Sequence, residues 1–182
     1  MTPLRLLVPA SFALAALAAP ARAEVCIDRS GGQYSSNEKL CVSSVLKPQG
    51  TNTYGPEQLR SDAAAAWCEG APGSGAGEYI RIVYADVVRF RTLMVGNGYA
   101  KSKTAYFANA RARTVRIETG DGLRFDAVLE DRAEPQPIRL PRVAKTREVR
   151  LTVVDVYGGD RFKDLCMHFF SPNFEEMESE NR

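Results

Sequence analysis

From residue 40 onward, the sequence is dominated by seven runs rich in β-branched and aromatic residues. The runs span residues 40–46, 78–84, 87–95, 113–118, 123–129, 149–157 and 165–170. Several of them alternate apolar and polar residues, which is the period of a strand with one buried face. Only residues 56–67 are typical of a helix. Many short strands with few helices predict an all-β protein, a β-sandwich or barrel.

Turn-forming residues separate these runs. Thr119-Gly-Asp-Gly122 joins two of them and contains the Asp-Gly pair that favours a tight hairpin turn. Three prolines in residues 134–142 predict a loop or an edge strand, because proline cannot donate a ladder hydrogen bond. Residues 73–77 hold three glycines but precede a strand, whereas a dinucleotide-binding loop opens a helix. We therefore interpret the glycine cluster as a tight turn into the sheet.

The first 23 residues have the pattern of a secretory signal peptide. Arg5 supplies the positive charge, residues 6–19 form an apolar run, and Ala21-Arg22-Ala23 is a typical cleavage site. A membrane anchor is the alternative, but a span needs ~20 apolar residues and this run is shorter and broken by Pro9. We predict cleavage after Ala23 and a secreted or periplasmic protein without a membrane span.

Charge balance limits the classes of partner. The whole chain has 24 Lys and Arg against 22 Asp and Glu; loss of Arg5 and Arg22 with the leader leaves 22 against 22. A neutral protein lacks the excess positive charge that drives general nucleic-acid binding, so we predict no nucleic-acid partner. The length favours a single domain. We divide the mature chain into an irregular lead-in at 24–37, a β-sandwich at 38–172 and an acidic tail at 173–182.

The four cysteines are Cys26, Cys41, Cys68 and Cys166. In an exported chain an even number of cysteines predicts disulfides, here two. Zinc binding is disfavoured because no C-x-x-C motif occurs and the chain has one histidine. Three pairings are possible from the residues alone. By chain entropy, a Cys68–Cys166 bridge would stabilise the fold by about 4–5 kcal/mol and a Cys26–Cys41 bridge by about 3 kcal/mol.

The sequence contains no constellation typical of catalysis. Ser–His or Cys–His chemistry would need His168, which falls within a predicted strand, where a structural role is typical. Glu69, Glu78, Asp155 and Asp164 have no spacing that singles out an acid–base pair. We therefore predict that the protein is not an enzyme. An enzyme in which such acids converge in space is a third hypothesis.

Residues 97–113 connect two predicted strands and should form a long loop, a common place for ligand binding. Residues 87–117 hold seven bases and no acid. Aromatic rings can stack on the apolar faces of sugars, while Asn, Lys and Arg donate hydrogen bonds to hydroxyls or anions. The candidate ligand-binding residues are therefore Tyr99, Lys101, Tyr106, Asn109 and Arg111. Alternatively, Asn97, Asn109 and Arg111 bond only the backbone carbonyls of the loop itself.

Six motifs follow one another in an order that resembles a known family. They are Trp67-Cys-Glu-Gly70, Gly75-Ala-Gly-Glu-Tyr-Ile80, Asn97-Gly-Tyr-Ala-Lys-Ser102, Asn109-Ala-Arg111, Leu129-Glu-Asp131 and the run from Val154 to Cys166. Over residues 41–170 the set resembles the discoidin-related, galactose-binding-like module found as the glycan-binding translocation domain of secreted bacterial NAD glycohydrolases. The NAD-cleaving activity of those proteins belongs to a separate domain, for which this chain has no room.

The resemblance implies an eight-stranded antiparallel jelly roll without catalytic activity, which binds its ligand through loops at one end. It also favours the pairing Cys68–Cys166, which leaves Cys26–Cys41. Related modules often hold calcium through an acid-rich turn before the Trp and a Glu on the last strand. Here the turn keeps Asp62 alone, and the last strand offers His168 and Phe169. Calcium wants six or more oxygens, so we predict no tight calcium site and no other cofactor.

Together these features predict an exported, non-catalytic module that binds a carbohydrate or glycoconjugate. The alternative is a protein-interaction module of the cell envelope, which would present the basic loop 97–113 to an acidic protein partner. Salt distinguishes the two, because screening weakens charge recognition more than ring stacking.

Overall fold

The computed structural model describes residues 23–32, 36–59 and 65–179, with the side chains of 178 and 179 left aside. The strands are β1 Val25–Arg29, β2 Glu38–Val42, β3 Trp67–Cys68, β4 Tyr79–Asn97, β5 Arg111–Thr119, β6 Arg124–Val128, β7 Gln136–Tyr157 and β8 Cys166–Pro172. The helical segments are a 3-10 turn at Pro56–Gln58, α1 at Lys103–Ala108 and α2 at Glu175–Ser179. The predicted signal peptide lies outside the described residues, apart from Ala23.

Two long strands, β4 and β7, organise the sheet. They pair antiparallel with each other along most of their length, with a register irregularity between Val83 and Val88. Before this irregularity β4 also pairs with β2, and after it with β8. One layer therefore has the order β1-β2-β4-β7-β5-β6, and the other is built from β7, β4, β8 and β3. All pairings between these strands are antiparallel, so the predicted all-β class is confirmed.

Alternation along the strands builds the main hydrophobic core between the layers. In β5, Val115 and Ile117 are buried while Arg116 between them is half-buried on the outer face, as the period of two predicts. The largest fully buried side chains include Trp67, Phe90 and Phe170. Burying a Phe side chain completely contributes about 1.5–3 kcal/mol, so a continuous core of this kind is the main stabilising element.

Both disulfides join residues that lie directly opposite each other on antiparallel strands. Cys26 faces Cys41 across β1 and β2, and Cys68 faces Cys166 across β3 and β8. The pairing that the family resemblance favours is therefore confirmed. No cysteine among the described residues is free.

The turn and proline predictions are also confirmed. Glu118 pairs with Arg124, so residues 119–123 close a tight hairpin in which Gly122 has a φ of +86°. Pro137 and Pro141 lie within β7, in the half whose register partners belong to β4 alone. That half is an edge, where a missing N–H costs nothing on the open side.

The structure differs from expectation in the lead-in, and it adds detail to the segment 56–67 and to the tail. The lead-in at 24–37 contains the edge strand β1, whose polar residues gave no alternating signal because an edge strand faces solvent widely. Of the helix expected at 56–67, the structure shows a 3-10 turn at Pro56–Gln58 and the first residue of β3, while residues 60–64 lie outside the described residues. In the tail, Phe174 packs edge-on against Tyr84 and Phe90, at 6.1 and 6.3 Å between ring centroids, and α2 follows it.

Candidate functional site

Three connections meet at one end of the sandwich and enclose a cleft of about 340 Å³. They join β2 to β3, β4 to β5 and β7 to β8. The backbone N–H of Gly98 donates to the carbonyl of Cys166 at 3.0 Å. The N–H of Ala110 donates to the carbonyl of Asp164 at 3.1 Å, so the second and third connections are held together. The lining residues are Leu46, Gln49, Tyr54, Cys68, Tyr99, Ser102, Thr104, Ala105, Ala108, Asn109, Arg161, Phe162 and Asp164.

Aromatic rings come to the cleft from all three connections. Tyr54 is buried and meets the half-buried ring of Tyr99 edge to face, with 6.4 Å between the ring centroids. Phe162 adds a ring that is 42% exposed. Burial raises the pKa of Tyr54, and the charges of Tyr99 and Asp164 add to the shift, so this phenol keeps its proton at neutral pH. The cleft thus offers apolar faces together with a hydroxyl donor.

Polar groups lie beside these rings. The amide nitrogen of Asn109 donates to the carbonyl of Ala105 at 2.8 Å, which leaves its oxygen able to accept. The guanidinium of Arg161 lies 5.0 Å from the centroid of the Phe162 ring. Within the described part of the chain, neither Arg161 nor Asp164 forms a side-chain ion pair. Their hydrogen-bonding capacity remains open to a ligand.

Tyr106 and Arg111, from the β4–β5 connection, form a framework behind the cleft. Arg111 is 4% exposed and donates to both carboxylate oxygens of Asp131, at 3.0 and 2.7 Å. Its remaining nitrogen donates to the carbonyls of Asn109 and Gly158, each at 2.9 Å. The hydroxyl of Tyr106 donates to Asp131 at 3.0 Å. The Arg111 hydrogen bond is the main cause of the lowered pKa of Asp131, opposed by burial, and this aspartate is therefore ionised at neutral pH.

The structure does not place Tyr106 and Arg111, two of the predicted ligand-binding residues, in the lining of the cleft. Both side chains are buried, and Asp131 and backbone carbonyls use their polar groups. The alternative interpretation holds for Asn109 and Asn97, which bond loop carbonyls, whereas Arg111 also bonds Asp131 and Gly158 outside the loop. Asn97 exchanges two hydrogen bonds with the backbone of Ala112, at 2.7 and 2.9 Å. These residues hold the connection in place.

The β4–β5 connection is partly helical rather than a plain loop. Ser102 caps α1 by accepting from the N–H of Ala105 at 3.1 Å. Gly98 has a φ of +73°, and a Cβ there would lie 2.6 Å from the Tyr106 ring, so only glycine fits. Lys101 is exposed next to α1 and does not line the cleft. Of the five candidates, Tyr99 and Asn109 reach the cleft.

The floor behind the cleft holds two buried titratable residues. Glu69 follows the Cys68–Cys166 disulfide and accepts from the N–H of Ala71 at 2.6 Å. Burial raises its pKa to about 6. His168 is fully buried, with Nδ1 3.2 Å from the carbonyl oxygen of Gly98, and burial lowers its pKa. A neutral histidine that braces the start of the connection fits the structural role expected for it.

Sequence reasoning missed the part that Tyr54, Arg161, Phe162 and Asp164 play in the cleft. The last three fall in the run from Val154 to Cys166 that carries the family resemblance, but nothing in the sequence places that run beside Tyr54 and Tyr99. Among the described residues, one group has the spacing of metal ligands, namely Glu24, Cys26 and Cys41. The sulfurs of Cys26 and Cys41 are joined in a disulfide, so this group does not support a metal site. Asp62 lies outside the described residues, so the calcium prediction stays a prediction.

Residues 33–169 match the family model described as the NAD glycohydrolase translocation F5/8 type C domain. The chain belongs to this family. The recognition made from the six motifs is therefore confirmed. The chain has no match among curated proteins. Within its described residues, no helix combines the length and apolar character needed to cross a membrane.

Solved structures with the same fold carry carbohydrate-related descriptions. The family 32 CBM of Clostridium perfringens NanJ, in complex with galactose, is 11% identical with a TM-score of 0.50, covering 73% of this chain and 90% of that one. C. perfringens CpGH89CBM32-5, in complex with GalNAc-β-1,3-galactose, is 9% identical with a TM-score of 0.54, covering 73% and 92%. Mycobacterial arabinofuranosyltransferase AftD is 19% identical with a TM-score of 0.54, covering 74% of this chain and 10% of AftD. These likenesses establish the discoidin-type β-sandwich.

Proposed function

We propose that the chain is an exported, non-catalytic module that binds a carbohydrate in the cleft between the three connections. The observation that carries the proposal is the lining of the cleft, where exposed ring surface lies beside Arg161 and Asp164, whose side chains form no ion pair among the described residues. Sugars are recognised in this way, by stacking on aromatic faces and by hydrogen bonds to their hydroxyls. The sugar complexes of the two C. perfringens modules support the same ligand class.

In this arrangement each polar group has a distinct role. The carboxylate of Asp164 accepts hydrogen bonds from two neighbouring hydroxyls, and Arg161 donates to a third. Tyr99 and Phe162 pack against the C–H faces of the sugar rings. Asn109, held by its bond to Ala105, presents an oxygen acceptor whose orientation is fixed before the ligand arrives.

The content of the cleft supports a binding role without catalysis. Among the described lining residues, Asp164 is the one carboxylate. Glycoside hydrolysis by the usual routes requires a pair of carboxylates on either side of the bond. The buried Glu69 lies behind the disulfide and bonds to backbone N–H groups. Export is supported by the leader at 1–23 and by two disulfides, which persist in oxidising compartments.

A glycan array of the mature chain, followed by titration calorimetry with the best ligand, tests this proposal. We expect Tyr99→Ala and Asp164→Asn each to weaken binding about ten-fold or more. Phe107→Ala is the matched control, because it removes an exposed ring of the same connection that does not line the cleft. We expect its affinity to stay within two-fold of the wild type.

Salt separates the proposal from the envelope-interaction alternative. Arg111 and Arg113 of the basic segment already pair with Asp131 and Asp155, which leaves fewer free charges for an acidic protein. We expect sugar binding to persist in 1 M NaCl, where the Debye length is about 3 Å. Binding that disappears with salt, or that Phe107→Ala reduces as much as Tyr99→Ala does, contradicts the cleft model.

A further inference from the structure

Exposed cross-strand neighbours in this sheet carry opposite charges. Ion pairs link residues that face each other directly in register, which stabilises a sheet. These pairs are Asp28 with Lys39, Arg29 with Glu38, Arg116 with Asp126 and Glu118 with Arg124. Complementary charge is therefore a recurring feature of the outer surface.

The pair of Arg89 on β4 and Lys145 on β7 breaks this pattern. The two residues face each other in register and both are exposed, yet neither forms an ion pair within the described part of the chain. Arg147, two residues further along β7 and exposed on the same side, pairs with no carboxylate in the described part of the chain either. We call Arg89, Lys145 and Arg147 the cationic face. Like charges directly opposite each other destabilise a sheet, so this arrangement costs stability.

The carboxylates near the cationic face form ion pairs with other cations. Asp121 accepts from Arg142 at 2.6 Å. Glu148, next to Arg147 in sequence, lies 3.6 Å from Arg81. Among the described strands, one other like-charged pair lies in register, Arg81 with Arg150, and Glu24 and Glu148 both pair with Arg81 and offset the repulsion.

Asp86, exposed at the bend of β4, is three residues before Arg89 and forms no ion pair among the described residues. The cationic face with Asp86 therefore keeps a net positive charge of about +2. Its three cations are spaced by about 5 Å across the strands and about 7 Å along them.

We propose that the cationic face binds a linear anionic polysaccharide. Its three evenly spaced cations can form ion pairs with successive carboxylate, sulfate or phosphate groups of an extended chain. A folded protein partner would require an apolar or aromatic centre. Among the described residues, the exposed ring of Phe162 lines the cleft, the exposed ring of Phe107 belongs to α1, and Val87 is the exposed large apolar residue in β4. Arg89 precedes Asn97 by eight residues, about 25 Å of strand, so this surface is separate from the cleft.

Two triple variants with the same change in net charge test the proposal. The first, Arg89→Gln/Lys145→Gln/Arg147→Gln, neutralises the cationic face. The second, Lys101→Gln/Lys103→Gln/Lys163→Gln, neutralises three exposed lysines near the cleft. Binding to heparin, as a sulfated polysaccharide probe, is measured by calorimetry at 50 mM and 500 mM salt. Neutral dextran is the uncharged control, and thermal unfolding monitors folding.

We expect the first variant to bind heparin about 100-fold more weakly, since each cation at an anionic surface contributes about five-fold. We expect the second to stay within about three-fold of the wild type. The first variant should also melt at the same or a higher temperature, because the like-charge repulsion is gone. Equal losses in both variants, a larger loss in the second, or no heparin binding by the wild type at 50 mM salt overturns the proposal. Binding of dextran as tight as heparin does so too.

Discussion

The two sides of the β4–β5 connection differ in what their polar groups do. On the inner side, Arg111 and Tyr106 donate hydrogen bonds to Asp131, and Arg111 also donates to backbone carbonyls. On the cleft side, Tyr99 and Asn109 keep exposed surface or an unused acceptor. One segment thus contains both a framework and a part of the binding surface.

This difference shows why residue type alone misleads. An arginine and a tyrosine in a long connection have the chemistry for binding a sugar, and they have the same chemistry for holding the connection together. Burial decides between the roles, because a buried guanidinium must be fully paired. The four predictions below test this division between framework and cleft, in order of decreasing effect.

Removing either disulfide should lower the stability of the fold, but removing only one of them should weaken sugar binding. Cys68→Ser/Cys166→Ser opens a 98-residue span and should lower the free energy of unfolding by about 4–5 kcal/mol; Cys26→Ser/Cys41→Ser opens a 15-residue span and should cost about 3 kcal/mol. Urea unfolding measures both. Since Cys68 lines the cleft and Cys26 does not, we expect sugar affinity to fall in the first double variant alone. Equal loss of affinity in both would contradict the division.

Arg111→Met should strongly destabilise the framework. Removing one partner of a buried ion pair costs about 3–5 kcal/mol, here at the lower end because Asp131 is 30% exposed. Arg113→Met is the matched control two residues away, since its pair with Asp155 is about half exposed and should contribute less than about 1 kcal/mol. Urea unfolding of both variants gives the comparison. Similar losses would show that Arg111 is not a framework residue.

Glu69 should make stability depend on pH. Its pKa is raised from 4.5 to about 6 in the folded protein, so the folded state binds this proton more tightly than the unfolded state. Its contribution to the free energy of unfolding is therefore greatest below pH 4.5 and is lost as pH rises through 6, by about 2 kcal/mol. Glu69→Gln should remove this difference between pH 4.5 and 7.5 in urea titrations. If the stability of Glu69→Gln still depends on pH as in the wild type, a group other than Glu69 causes the pH dependence.

Of the four changes, the loss of the Lys101 side chain should have the smallest effect on sugar affinity and stability. Its side chain is exposed and outside the cleft lining, so Lys101→Ala should change the sugar affinity less than two-fold at 0.15 M salt and leave the melting temperature unchanged. A loss of ten-fold or more, measured by calorimetry, would extend the binding surface beyond the cleft to the outside of α1.

The architecture could be predicted from the sequence because its signals are local. Alternation around Val115 and Ile117 and the Asp-Gly turn identify strands and a hairpin within a few residues. The edge strand β1 gave no such signal, because it is held by the Cys26–Cys41 disulfide and by charge pairs such as Arg29 with Glu38 rather than by apolar burial. Local patterns describe the core better than they describe the edges.

The cleft could be predicted only in part. Tyr99 and Asn109 lie in the segment that composition marks out, while Phe162 and Asp164 come from a connection more than 50 residues away. Their convergence depends on the pairing of β8 with β4, which is a property of the whole fold. No spacing in the sequence could reveal it.

A titration of the isotope-labelled mature chain with the best sugar from the array, followed by amide NMR shifts, tests the central claim most directly. The account predicts that shifts concentrate at residues 99–109 and 161–164 and on Tyr54, with Arg89 and Lys145 unchanged. Shifts confined to residues outside the cleft, or none at a saturating concentration of every sugar that the array selects, would contradict it.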